Sequence, residues 1–171
     1  MKIKKTKFKG LCVFLNNNFS DQRGFFREIF KKKIVKKELP FTCLSYSKKN
    51  VLRGLHLQRK KSQGKYLSVI KGKIFDVAVD LRKNSNTYGK YFSIILNDKN
   101  CTSIYIPAGF AHGFLSLGKE NYILYSCTKY RSKKDEIGIK WNDKDLKIKW
   151  PTKNPILSAK DKNNIDFKNF K

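Results

Sequence analysis

Apolar and polar residues alternate most strictly in the middle of the chain. Across residues 74–82, Phe75, Val77, Val79 and Leu81 interleave with Asp76, Ala78, Asp80 and Arg82. A period of two puts one set on each side of an extended strand, so one face is apolar and the other carries two carboxylates. Those carboxylates suit either a solvated outer face or the wall of a ligand cavity. Residues 65–71 read as the preceding strand, with a tight turn at Lys71-Gly72-Lys73. Further strands are predicted at 11–15, 25–30, 41–47, 51–56, 91–96, 102–106, 113–117 and 122–130. One helix is predicted over 31–39, where Ile34, Val35 and Leu39 share a side and Pro40 follows. Many short strands without a βαβ rhythm predict an all-β fold, an antiparallel β-sandwich or small barrel. Past about residue 142 the pattern loosens, and Pro151 and Pro155 break any regular element. The chain, 171 residues long, fits one domain (1–171) with an irregular C-terminal segment.

Charge adds a constraint. The formal net charge is +26, which raises the question of nucleic acid. Only six of the 39 basic residues are arginine, at 23, 27, 53, 59, 82 and 131, and the lysines are scattered from end to end. A groove reader clusters arginines, because the guanidinium fork pairs bidentately with phosphates and guanine edges. The expectation is therefore no specific nucleic-acid partner, only weak polyanion binding that salt removes. No apolar run approaches a membrane span, and residues 11–15 are too short for a signal-peptide core. Four cysteines (12, 43, 101 and 127) are widely spaced in strand-like contexts and are expected to be buried free thiols. A reducing cytoplasm is the expected location.

Candidate chemistry begins with the two histidines. His56 ends Val51-Leu52-Arg53-Gly54-Leu55-His56, and His112 ends Ile106-Pro107-Ala108-Gly109-Phe110-Ala111-His112. Each follows a glycine-containing turn at the edge of an apolar β segment and has charged company. Two imidazoles in such similar settings point to one shared pocket.

Six segments in fixed order then carry a resemblance. They are Phe19-Ser20-Asp21-Gln22-Arg23-Gly24-Phe25-Phe26-Arg27-Glu28, the stretch ending at His56, Gln63-Gly64-Lys65, Phe75-Asp76-Val77-Ala78-Val79-Asp80, the stretch through His112 to Phe114, and Leu157-Ser158-Ala159-Lys160-Asp161. Together they resemble the dTDP-4-dehydrorhamnose 3,5-epimerase family of cupin-like jelly rolls, nearly end to end. The resemblance implies a nucleoside-diphosphate-linked 4-keto-6-deoxy sugar as substrate, inversion at carbons 3 and 5, no metal or other cofactor, and a homodimer that exchanges one strand. It implies His56 as the base, Asp161 as its carboxylate partner and Tyr125 as the proton donor. It also implies Lys65 and His112 as stabilisers of the oxyanion at carbon 4. Arg23, Glu28, Arg53, Glu136 and Lys160 match positions that hold the nucleotide and sugar. Taken alone, several have plainer uses: Arg23 pairing with Asp21, Lys160 as a solvated lysine, Tyr125 as a core tyrosine.

Two positions depart from the family pattern. Phe41-Thr42-Cys43 stands where relatives carry Gln-x-Asn, and Tyr130-Arg131 stands where they carry Tyr-Tyr. Both fall on substrate contacts and neither touches His56, Tyr125 or Asp161, so the chemistry is expected to be kept while the nucleotide is open. Tyr130 and Arg131 are thus candidate substrate contacts, and a guanosine- or cytidine-linked sugar, single-carbon epimerisation or a 4-keto sugar isomerisation are the alternatives. A metal cupin needs a second histidine two residues after the first, and here Leu57-Gln58 follows His56.

Overall fold

Two antiparallel sheets close over a shared apolar interior in the computed structural model, which describes residues 1–170. Lys171, the last residue of the expected domain, lies outside the described residues. In chain order the strands begin β1 (Lys2–Lys5), β2 (Cys12–Leu15), β3 (Asn18–Asp21), β4 (Gly24–Arg27), β5 (Phe41–Lys48) and β6 (Leu52–Gln58). There follow β7 (Lys65–Lys71), β8 (Lys73–Asp80), β9 (Tyr91–Asn97), β10 (Thr102–Ile106), β11 (Phe110–Ser116), β12 (Glu120–Cys127) and β13 (Glu136–Gly138). The larger sheet is ordered β1-β2-β10-β7-β12-β5 and the smaller β13-β6-β11-β8-β9, while β3 and β4 form a separate hairpin. This is the expected antiparallel jelly-roll sandwich, with two short helices, α1 (Lys32–Val35) and α2 (Ala159–Lys162).

The alternation in β8 has a specific consequence. Ile74 and Ala78 point between the sheets, against Leu67, Val69, Ile104, Ile106 and Ile123 of the larger one. Val77 and Val79 point the other way, against Leu146, Trp150 and Phe167 of the C-terminal segment. Both faces of the smaller sheet are therefore covered, each buried Leu, Ile or Phe contributing about 1.5–3 kcal/mol. The irregular tail is a fixed layer. Asp143 holds it, its carboxylate accepting from the backbone N–H of Asp145, Leu146 and Phe167 at 2.9, 3.1 and 2.8 Å. Asp76 and Asp80 share the interior side with Ile74 and are 1% and 0% exposed, so the solvated reading of that face does not hold.

Other expectations also change. The helix occupies only Lys32–Val35, because Lys36 turns into the left-handed region at φ 53° and closes it. Its apolar side still serves: Val35 is buried, with Ile34 and Leu39, on the outer face of the larger sheet. The strand expected at 25–30 is instead the short β4, paired with β3. The four cysteines are free, but only Cys127 is buried; Cys12 and Cys101 are half-buried and Cys43 is exposed. Cys101 sits at φ 50° in the turn before β10, and Cys43 lies on the edge strand β5. Among the described residues no helix is long and apolar enough to cross a membrane.

Asp80 anchors one end of the sandwich. It accepts from Arg82 Nε and Nη2 at 2.8 and 2.7 Å and from the Ser85 and Thr87 hydroxyls at 2.6 Å each. Burial acts to raise its pKa, but these hydrogen bonds prevail and hold the carboxyl at about 2. A depressed folded-state pKa gives stability that is present above the unfolded value, about 3.9, and is lost as pH falls through the folded one. Asp80→Asn is expected to lower stability at pH 7 by roughly 2 kcal/mol. Its acid limb between pH 4 and pH 2 should be shallower than wild type in urea titrations at stepped pH. An unchanged limb would mean that Asp80 titrates alike folded and unfolded.

Candidate active site

Between the sheets lies a pocket of about 370 Å³, and four elements aim their chemistry into it. From the smaller sheet come His56 on β6 and His112 on β11, cross-strand partners in the ladder. From the larger sheet come Lys65 on β7 and Tyr125 on β12. Glycine sets the approach of β6 to β11. A Cβ on Gly54, whose φ is +129°, would lie 2.5 Å from Gly113 Cα and 2.8 Å from the His112 carbonyl oxygen. With no Cβ at either position the backbones close and the register shifts between His112 and Phe114, leaving the two imidazoles adjacent.

The C-terminal segment supplies the acid partner from far along the chain. A parallel bridge joins Ile156 to Val51 at the start of β6, with Leu52 N–H donating to the Ile156 carbonyl at 3.0 Å. Ser158 then caps α2 by accepting from Asp161 N–H at 3.1 Å. On the far side, Asn164 donates to the Gly54 and Ile139 carbonyls. Held from both flanks, Asp161 is 4% exposed and places Oδ1 2.5 Å from His56 Nε2. Burial would raise its pKa; the bond to His56 and the charge there outweigh this and hold the carboxyl below its usual range. A carboxylate on Nε2 fixes the proton there and leaves Nδ1 as the basic nitrogen.

His112 has a carboxylate of its own, Asp76 Oδ2 at 2.7 Å from Nε2, and both are buried. The other oxygen, Asp76 Oδ1, is buried without a hydrogen-bond partner among the described residues. His112 also meets the Tyr125 ring edge-on, with centroids 6.3 Å apart. Burial pushes the Tyr125 phenol well above the usual tyrosine range, so it is held protonated; its oxygen accepts from Ser45 Oγ at 3.2 Å. Burial likewise pulls Lys65 down, against the opposing pull of Cys127, Glu136, Asp76 and Cys43. At the rim, Glu136 bridges Arg131, at 3.1 Å, and Lys160. Burial would raise Glu136, but Lys160, His56 and Arg131 hold it below its ordinary value. Arg53, braced by Ser47 Oγ and the Tyr46 carbonyl, joins Lys65, Arg131 and Lys160 as the four cations of the lining, against the carboxylates Glu136 and Asp161. The field favours an anion.

The pocket thus gathers His56, Tyr125, Asp161, Arg53, Lys65, His112, Arg131, Glu136 and Lys160. Three candidates stand apart from it. Arg23, on the exposed β3–β4 turn, pairs with Asp21 at 2.6 Å. Glu28 pairs with Lys31 at 2.7 Å. Tyr130 is 68% exposed beside the mouth and meets Phe41 with ring centroids 6.0 Å apart. Phe41 and Cys43, expected at a substrate contact, do line the pocket, while the roles of Asp76, Ser45, Ser158 and Cys127 were not foreseen. Of these four only Asp76 carried a signal, as an acid on an alternating strand. Among the described residues, no group of three His, Cys, Asp or Glu is placed to hold a metal ion.

A jelly roll whose interior holds a carboxylate-fixed imidazole, a protonated phenol and a cationic wall defines the class: an acid/base site for an anionic ligand. A profile of the dTDP-4-dehydrorhamnose 3,5-epimerase family matches residues 5–169, and the chain belongs to that family. It is 44% identical over 167 residues to the dTDP-4-dehydrorhamnose 3,5-epimerase of Methanothermobacter thermautotrophicus, covering 93% of this chain and 90% of that one. With the enzyme of the same name from Shigella flexneri it shares 42% over 174 residues, covering 98% and 96%. The fold superposes with a TM-score of 0.95, at 36% identity, on dTDP-6-deoxy-D-glucose-3,5-epimerase of Legionella pneumophila Philadelphia 1, solved with dTDP-4-keto-L-rhamnose. That match covers 99% of this chain and 94% of the other.

Proposed function

We propose that this chain is a dTDP-4-dehydrorhamnose 3,5-epimerase that works in dTDP-rhamnose formation. It inverts carbons 3 and 5 of a thymidine-diphosphate-linked 4-keto-6-deoxy sugar. The observation that carries the reading is that base and acid come from facing sheets: His56, fixed by Asp161, on β6 and Tyr125 on β12, in one pocket. Hydrogens beside a ketone are weakly acidic because the carbanion delocalises into an enolate. His56 Nδ1 takes the proton from the carbon, and the C–H electron pair moves into the ring as the carbonyl becomes the enolate oxygen. Lys65, with His112 beside it, stabilises that oxyanion. The enolate then takes a proton from the Tyr125 hydroxyl on the opposite ring face, restoring the ketone with inverted configuration. Solvent returns a proton to Tyr125 and removes one from His56. Arg53, Arg131 and Lys160 hold the diphosphate, with Glu136 fixing the last two.

The working unit in this proposal is a homodimer. The β3–β4 hairpin leaves Phe19, Phe25 and Phe26 at 55%, 64% and 68% exposure, and the larger sheet leaves Leu44, Tyr46 and Ile70 uncovered on its outer face. A second copy covers these groups, and the exchanged hairpin carries Arg23 and Glu28 to the partner's pocket, since neither reaches its own. The four free thiols fit a reducing cytoplasm.

In deuterated water the 4-keto substrate should lose its proton NMR signals at carbons 3 and 5. His56→Ala is expected to abolish exchange at both; near wild-type exchange would remove His56 from the base role. Tyr125→Phe should admit deuterium yet block inversion, and full product formation would remove the phenol from the acid role. Sedimentation should give about twice the chain mass of 20.0 kDa. A monomer of full activity would sink the exchange of Arg23 and Glu28.

A further inference from the structure

We propose that Phe41 is a nucleobase-binding residue: with Tyr130 it forms the surface on which the nucleobase lies, so the base is held by stacking and not by its edge. This rests on the nucleotide-sugar reading above. The pocket has two ends. His56, Tyr125, Lys65 and His112 converge at the inner end, which takes the reacting sugar, and Arg131 and Lys160 stand at the rim where a diphosphate leaves it. A nucleoside attached beyond the diphosphate meets the wall next to Arg131. That wall is Phe41, half-buried at the start of β5, with the largely exposed Tyr130 ring tilted 51° to it at 6.0 Å.

Most hydrogen-bonding groups here are already engaged. Gln58 donates to the Lys61 and Tyr130 carbonyls and accepts from Ser132 N–H. Gln63 donates to the Lys129 carbonyl at 2.6 Å. Arg131 turns its Nε and one terminal nitrogen to Glu136. The neighbouring side chains on the larger sheet are the Cys43 and Cys127 thiols, whose thiolate forms burial disfavours, raising Cys127 to about 11. What this end offers a base is aromatic face and sulfur. Stacking tolerates any base because each has a π face. A site that pairs with a base edge rejects the wrong edge by about 10⁴–10⁵-fold. Thymine and cytosine have opposite donor and acceptor patterns at position 4, so they separate the two modes.

The test is calorimetric titration of the full chain with TDP, UDP and CDP. Wild type should bind all three with Kd values within about tenfold of one another. Phe41→Ala should weaken each by about five- to 150-fold, the loss of one stacked base. Phe41→Tyr, which keeps a ring, should bind like wild type, and Phe41→Leu, which keeps only apolar bulk, should lose affinity as alanine does. Rejection of CDP by more than a thousandfold, or wild-type binding by Phe41→Ala or Phe41→Leu, overturns the proposal. Normal TDP binding without deuterium exchange on the 4-keto sugar would overturn the epimerase reading while leaving the stacking surface in place.

Discussion

One contact organises this protein's chemistry: the carboxylate of Asp161 against the imidazole of His56, 105 residues apart in sequence and 2.5 Å apart in space. An imidazole on a strand can turn over and exchange its proton between nitrogens. A buried carboxylate on Nε2 removes that freedom and decides which nitrogen is basic. Much of the C-terminal third serves this contact. The Asp143 hub, the Val51–Ile156 bridge, the Ser158 cap and the Asn164 amide all fix the segment that carries Asp161. The same segment covers the outer face of the smaller sheet with Leu146, Trp150 and Phe167, so the packing that closes this face also holds the chain that carries Asp161.

The sandwich then gives the site its two sides. Strands of the smaller sheet present nitrogen bases, and strands of the larger sheet present a phenol and an ammonium whose pKa values burial moves in opposite directions. The phenol is kept protonated, which suits a proton donor. Burial makes the lysine's cationic form less favourable, and the nearby acidic groups oppose that loss. A second His–Asp pair, His112 with Asp76, lies between the two sides. The two pairs differ in origin: Asp161 comes from the C-terminal segment and Asp76 from strand β8.

Much of this was legible in the residues because it rests on local pattern. Period-two alternation located β7, β8 and β10; two of the six ordered motifs carry His56 and Asp161, and the family resemblance added Tyr125, all three of which line one pocket. What escaped was set by tertiary context. Strand β1 is a run of exposed lysines and one isoleucine, with no apolar face to announce it. The helix at Lys32–Val35 stops early because a backbone turn at Lys36 intervenes, a choice that apolar spacing does not encode. Asp76 and Asp80 were ambiguous because alternation tells which residues share a face but not what that face meets. Arg23 and Glu28 match the motif yet lie outside this chain's own pocket, a placement that a single strand pattern cannot specify.

In the proposed mechanism a sugar ring lies between His56 and Tyr125. A crystal structure of the protein with a bound dTDP-linked 4-keto sugar tests it most directly. The pyranose ring is expected between imidazole and phenol, its carbonyl oxygen within hydrogen-bond reach of Lys65. A ring seated elsewhere, or imidazole and phenol on the same ring face, would contradict it.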